Sequence, residues 1–506
     1  MIGGEITWEC STNGTFKFKM HIYADPNGIP YNFTTESILV SGAVLPSSNN
    51  GTPITSITMR PNTTARSQTY SNYYIYESDT IRLKGSIPPN GWIFSFSLPC
   101  CRGFTNANFV GGSATLLKTT MYPSANRTLS SGCYDSSPQF MEMPKIQFFD
   151  NVDYITHNVA TDFDGDSLIY LLDQPLAGTG NNSTKIPFRN GFSTSNYTGN
   201  RTLNGNVPYS IEPNSGNVAF SYTNSQGANK FNRVITVESY RDGQKLSTIT
   251  REMPLNVLNT SFVLKQPELS PTLSFNSFGI HYDTVMAGNA LSIPITLLDT
   301  TTASWIDTMT LVPFGSSFSS DFYSATACND PNDTSCATLS LPPALNNGIY
   351  PSRYEYQGTR AMYLNLLWNP TCFHLNANGG AKTHYFTFGY EVNYFSKPIF
   401  YRTIAITVQP NPALCNSVTS ISSVKEQKNE IQLYPNPTNG RFKLKANYDF
   451  EDTQIKIRNS SGQLVKSFQY SSHSSREIEI PGSKGIYFVE FENPNGVLEV
   501  KKVIKL

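Results

Sequence analysis

Charge and long apolar runs are what this sequence has least of. Lys, Arg, Asp and Glu make up 15% of the 506 residues, and 37 basic side chains cancel 37 acidic ones. Without an excess of positive charge there is no electrostatic footprint for nucleic acid or an anionic membrane surface. No apolar run approaches the ~20 residues needed to cross a bilayer. The opening Met1-Ile2-Gly3-Gly4-Glu5 has neither a basic nor an apolar stretch, so an export signal is expected to have been removed ahead of it. Cysteine is sparse, with eight residues, and no Cys-x-x-Cys pair occurs. The six histidines (His21, His157, His281, His374, His384, His473) form no His-x-x-x-His or His-Glu-x-x-His pattern, so zinc finds no ligand spacing. Gly-x-Ser-x-Gly and Gly-x-x-x-x-Gly-Lys are also missing, which removes the usual signatures of a serine hydrolase or a phosphate-binding loop. The reading is a protein that is not an enzyme.

What the chain does have is β-forming residues and turns. Aromatics reach 12%, Gly and Pro number 34 and 32, and no long segment carries a helical period. Strict alternation marks half-buried strands. Phe16, Phe18, Met20 and Ile22 point one way, while Lys17, Lys19, His21 and Tyr23 point the other. Tyr385 to Val392 and Tyr401 to Val408 read the same way. The fold class is therefore all-β, several β-sandwich domains in series. Domains are expected at 1–140, 141–262 and 263–412, with a polar linker at 413–430 and a last domain at 431–506. Proteolytic processing, where it occurs, is expected in the linker.

The last domain alternates too. Phe442 and Leu444 interleave with Lys443 and Lys445, Ile455 and Ile457 with Lys456 and Arg458, Ile478 and Ile480 with Glu477 and Glu479. About seven short strands would build a small sandwich. Around them stand Leu433-Tyr434-Pro435-Asn436-Pro437-Thr438-Asn439-Gly440, Asn459-Ser460-Ser461-Gly462-Gln463-Leu464-Val465, Gly485-Ile486-Tyr487-Phe488-Val489 and Lys501-Lys502-Val503-Ile504. In that order these motifs resemble the type A C-terminal sorting domain of the Bacteroidetes type IX secretion system. The resemblance implies export across the outer membrane to the cell surface or medium, with the secretion machinery as partner. At the other end, Gly3 to Cys10 followed by His21-Ile22-Tyr23-Ala24-Asp25-Pro26-Asn27-Gly28 looks like the opening of large Bacteroidetes surface proteins, whose first domain is Ig-like.

The sharpest local motif is Ala160-Thr161-Asp162-Phe163-Asp164-Gly165-Asp166-Ser167. Asp162, Asp164 and Asp166 alternate on a Gly-containing turn, and three such carboxylates can converge on one hard cation with 6–8 oxygen ligands. Gly165 stands at the fourth position of the loop, which does not match an EF-hand. With Ile211 to Val218 and Val237 to Gly243, this stretch resembles cadherin-like sandwich repeats, which implies Ca²⁺ at Asp162, Asp164 and Asp166. Glu238 and Asp242 are secondary candidates. The plainer reading is a solvated acidic turn without an ion.

The cysteines suit an oxidising destination. A local Cys328–Cys336 bridge and a Cys372–Cys415 bridge are expected, and the pairing of Cys10, Cys100, Cys101 and Cys133 stays open. Trp8, Trp92, Trp305 and Trp368 could form a sugar platform, but each sits among strand residues, where core packing is the commoner fate. The Asn-x-Ser/Thr sequences at Asn181, Asn196 and Asn259 are expected by chance in so Asn- and Ser-rich a chain. Together these features read as an extracellular adhesin or structural component with surface glycans, proteins or further copies of itself as partners. A fibre subunit is its sharper form, and a secreted carbohydrate-binding protein or polysaccharide hydrolase is the rival.

Overall fold

The computed structural model describes residues 3–505 apart from loop segments. The longer of these are 25–33, 99–107, 125–132, 198–208, 223–229, 259–266, 300–307, 319–335, 347–352, 393–398, 416–430, 447–452 and 471–476, and the rest span four residues or fewer. The described chain is mostly strand with almost no helix and divides into two compact units, 1–419 and 420–506.

A twelve-stranded sheet opens the larger unit. Its path runs through Gly3–Cys10, Phe16–Ala24, Ser71–Ser78, Ser56–Pro61, Glu36–Ser41, Trp92–Leu98, Thr115–Met121, Gln244–Leu258, Lys230–Arg241 and Ser167–Asp173. Gly4 also pairs with Glu252, so the first strand returns to Gln244–Leu258 and the sheet closes on itself. Closure demands glycine here. A Cβ on Gly3 would lie 1.9 Å from the Glu252 carbonyl oxygen, and one on Gly4 would lie 2.3 Å from that of His21. The closed sheet encloses Trp8, Phe18 and Phe94, whose rings are 4.6–6.2 Å apart. Trp8 Nε1 donates to the Asp135 carbonyl at 2.9 Å and Trp92 Nε1 to that of Val44 at 2.8 Å, so neither indole pays the penalty of a buried unpaired donor.

Alternation in Phe16–Ala24 holds for Phe16, Phe18, Met20 and Ile22, all of them buried. Tyr23, expected on the wet face, is buried as well. Closure brings Arg251 over its ring and stacks it on Tyr73 at 5.4 Å.

The boundary expected after residue 140 falls inside this sheet, because Gln244–Leu258 belongs to both sides of it. The boundary expected at 262 is crossed by one continuous core cluster. Tyr154 stacks on Phe400 at 5.6 Å, Asn217 Nδ2 donates to the Phe278 carbonyl at 2.8 Å, and Thr403 Oγ1 donates to Asn217 Oδ1 at 3.0 Å. Beyond it lie a four-stranded sheet, which includes Leu291–Leu298 and Ala361–Trp368, and a six-stranded one. The six-stranded sheet begins Ile280–Met286, Ile399–Gln409, Lys382–Val392, with the first pair parallel.

Two sheets also form the smaller unit. Ile431–Tyr434, Arg441–Ala446 and Glu477–Glu479 make one; Leu464–Tyr470, Thr453–Asn459, Gly485–Asn493 and Gly496–Lys505 make the other. Phe442, Leu444, Ile455, Ile457, Ile478 and Ile480 are all buried in its core, as their alternation requires.

Cys372–Cys415 forms as expected, and Cys10 pairs with Cys133. Cys336 is disulfide-bonded. Cys100, Cys101, Cys328 and Trp305 lie outside the described residues. Trp8, Trp92 and Trp368 are core residues rather than a sugar platform.

Candidate functional site

The acidic turn is built by its own first residue. Asp162 Oδ1 accepts the backbone N–H of Asp164 at 2.9 Å and of Asp166 at 3.2 Å, an Asx-type turn that Gly165 completes at φ +79°. The turn leads from Ala160–Thr161 into Ser167–Asp173. Ser167 lies opposite Tyr240, and this register brings Arg241 beside the turn.

Arg241 grips Asp166 through both oxygens, Nε to Oδ1 at 2.5 Å and Nη2 to Oδ2 at 2.9 Å. Nη2 also reaches Asp135 Oδ1 at 3.1 Å and lies 3.8 Å from Asp164 Oδ2. Asp164 Oδ2 accepts the Ser136 backbone N–H at 2.5 Å. From the start of Lys382–Val392, Lys382 Nζ donates to the Gly165 carbonyl at 3.3 Å. The cluster therefore joins four stretches far apart in sequence: the segment at Asp135, the turn, the end of Lys230–Arg241 and the start of Lys382–Val392.

The side chains of Asp135, Asp162 and Asp166 are buried. Burial, with repulsion from the neighbouring carboxylates, pushes Asp135 and Asp162 well above the usual range. Burial raises Asp166 as well, against the pull of Arg241. Desolvation would lower Arg241, but Asp166 and Asp135 outweigh it and raise it. Burial lowers Lys382, although Asp166 and Asp162 oppose the shift. Among the described residues, Asp135 Oδ2 and Asp162 Oδ2 are buried without a hydrogen-bond donor.

The structure thus places Asp162, Asp164 and Asp166 together, as read from the sequence, and adds Asp135, Arg241 and Lys382. Only Arg241 had a nearby signal, the turn-forming Asp242-Gly243 after it. Glu238 is held by Lys245 at 2.8 Å and by the Tyr240 hydroxyl at 2.7 Å, and Asp242 is exposed at the hairpin turn with φ +52°. Among the described residues no three His, Cys, Asp or Glu side chains are arranged as the ligands of a metal ion. Arg241 takes up carboxylate oxygens that a cation would otherwise claim.

Residues 432–505 match a family described as the secretion system C-terminal sorting domain. The chain carries the sorting domain of the type IX system, and the protein is exported to the cell surface or beyond. Among the described residues no helix is long and apolar enough to cross a membrane. No curated protein matches the chain. Among solved structures, the E. coli chaperone DraB is 12% identical over 48% of this chain and 98% of its own, with a TM-score of 0.16. Human CDH23 EC21-23 is 12% identical over 71% of this chain and 97% of its own, TM-score 0.15. The human desmocollin-1 ectodomain is 10% identical over 95% of this chain and 72% of its own, TM-score 0.16. At such TM-scores the all-β assignment rests on the strands and registers of the chain itself.

Proposed function

We propose that this protein is a non-catalytic component of the outer cell surface, an adhesin or structural element. One observation supports this most: residues 1–419 form one compact β unit, in which one sheet joins strands from Gly3 to Leu258 and one core cluster joins residues from Phe109 to Val408. Such a body resists local unfolding because its cooperative unit is large. Surface glycans, proteins or further copies of the chain are its proposed partners. In the fibre form, edge strands such as Ser167–Asp173 would pair between copies. Immunogold labelling of unpermeabilised cells with antibody against residues 1–419 tests the reading. Gold dispersed over the surface is expected for an adhesin and continuous filaments for a fibre subunit. Gold confined inside the envelope would overturn both.

The acidic cluster is proposed as a Ca²⁺ site held by Asp162, Asp164 and Asp166, with Asp135 added. Two features support it. Asp135 Oδ2 and Asp162 Oδ2 are buried and lack donors. Burial and mutual repulsion raise Asp135 and Asp162, and a divalent cation between these carboxylates would relieve that repulsion. Bound there, the ion would supply charge neutralisation and a cross-link between the segments that meet at the cluster.

A further inference from the structure

The outer face of the six-stranded sheet carries a pattern that the surface role does not use. In the parallel pair Tyr282 lies opposite Ala405, and in the antiparallel pair Ala405 lies opposite Tyr385. One row further along, Thr284, Thr407 and Thr383 are aligned in the same way. Residues in register share a face, so two tyrosines flank an alanine above a row of three threonines. The opposite face of these strands enters the core through Val285, Ile404, Ile406, Val408 and Phe386, all buried. Tyr282 is 56% exposed and Met286 41%, while Thr383, Tyr385 and Thr407 are half-buried and Ala405, between the tyrosines, is buried.

We propose that this face binds an extended, uncharged polysaccharide, with the two tyrosine rings stacking on sugar rings and the threonine row hydrogen-bonding their hydroxyls. Two strand spacings separate the tyrosines, roughly 10 Å, about the distance between alternate sugar rings of an extended β-linked chain. The C–H face of a pyranose is apolar and packs on an aromatic ring, while the phenol OH serves the sugar's rim. Thr383 Oγ1 and Thr407 Oγ1 are 2.9 Å apart, so this part of the hydroxyl row is already ordered before a ligand arrives. No charged side chain shares these two rows, which disfavours an acidic glycan or a charged protein surface.

Glu212, whose charge acts on both phenols, is engaged locally. It accepts the backbone N–H of Asn214 at 3.1 Å and of Ser215 at 2.6 Å, and Asn214 Nδ2 at 3.0 Å. Burial first, and then the charge of Glu212, raises both phenols. This places a binding surface on tyrosines, where the rival carbohydrate reading looked to tryptophans.

The test is isothermal titration of the full chain with cellohexaose and chitohexaose, alongside Tyr282→Ala, Tyr385→Phe and Thr407→Val. The expected result is binding of at least one oligosaccharide that weakens tenfold or more in Tyr282→Ala, with an unchanged melting temperature because Tyr282 is exposed. Tyr385→Phe should retain stacking and lose less. Absence of binding to both, or equal binding by Tyr282→Ala, would overturn the proposal. So would a dimer that Tyr282→Ala dissolves, since the face would then be a contact between copies. None of these outcomes bears on whether the protein reaches the surface, so the two readings fail separately.

Discussion

Arg251→Met is expected to cost the larger unit about 3–5 kcal/mol, because it strips the partner from a buried carboxylate. Arg251 donates to both oxygens of Glu5, at 2.9 and 2.7 Å, and both side chains are buried. His21 Nδ1 lies 3.0 Å from Glu5 Oε1, and the Tyr23 hydroxyl donates to Oε2. Arg251 also donates to the Glu142 carbonyl at 2.9 Å and lies 3.7 Å above the Phe140 ring. This network pins the first strand to Gln244–Leu258 where the sheet closes. Burial alone would raise Glu5, yet Arg251 and His21 hold it down from 4.5 to about 2. A depressed carboxylate stabilises above its unfolded pKa, so this contribution is present above pH 4.5 and is lost as pH falls towards 2. Denaturant unfolding of residues 1–419 measures the effect. Glu5→Gln combined with Arg251→Met should recover most of the loss, since no unpaired charge is then buried. A loss below about 1 kcal/mol, or a double variant no better than the single, would contradict the assigned role of the pair.

Calcium is expected to raise the melting temperature of residues 1–419 and EDTA to lower it. A ligand that binds only the folded state at a hundred times its Kd stabilises by about 2.7 kcal/mol, a shift of a few degrees in a chain of this size. Mg²⁺ should do less, because it dehydrates reluctantly and demands an octahedron that a cluster shared with Arg241 is poorly placed to supply. Asp162→Asn is the informative variant. Its amide oxygen can still accept the backbone N–H of Asp164 and Asp166, so the turn survives while the charge that would hold the ion goes. The variant should lose the calcium response without losing stability in EDTA. Identical melting of the parent with calcium and with EDTA would leave Arg241 and Lys382 as the cluster's counter-charges and remove the metal.

Local pattern carried much of the fold. Alternation in the last 75 or so residues gave the buried set Phe442, Leu444, Ile455, Ile457, Ile478 and Ile480 directly, since a half-buried strand writes its two faces in alternate letters. The Asp162 turn and the Cys372–Cys415 bridge were legible for the same reason, being short-range or at the ends of recognisable strands. What did not show was anything created by pairing at long range. Gln244–Leu258 looks like any other strand, and no local residue says that it closes a sheet begun at Gly3. Nothing local marks Gly3 and Gly4 as required, and only the approach of the Glu252 and His21 carbonyls explains them. Asp135, Arg241 and Lys382 join the acidic cluster only through tertiary structure, and Tyr282 meets Tyr385 only through the registers on either side of Ala405.

Export by the C-terminal unit is the claim on which the functional account depends, and truncation tests it most directly. In a bacterium with a type IX system, the full chain and a chain ending at residue 419 would be probed on intact cells and in the medium with antibody against residues 1–419. The account expects the full chain outside the outer membrane and the truncated chain retained in the periplasm, folded. A truncated chain that reaches the surface or medium as efficiently as the full one would contradict it.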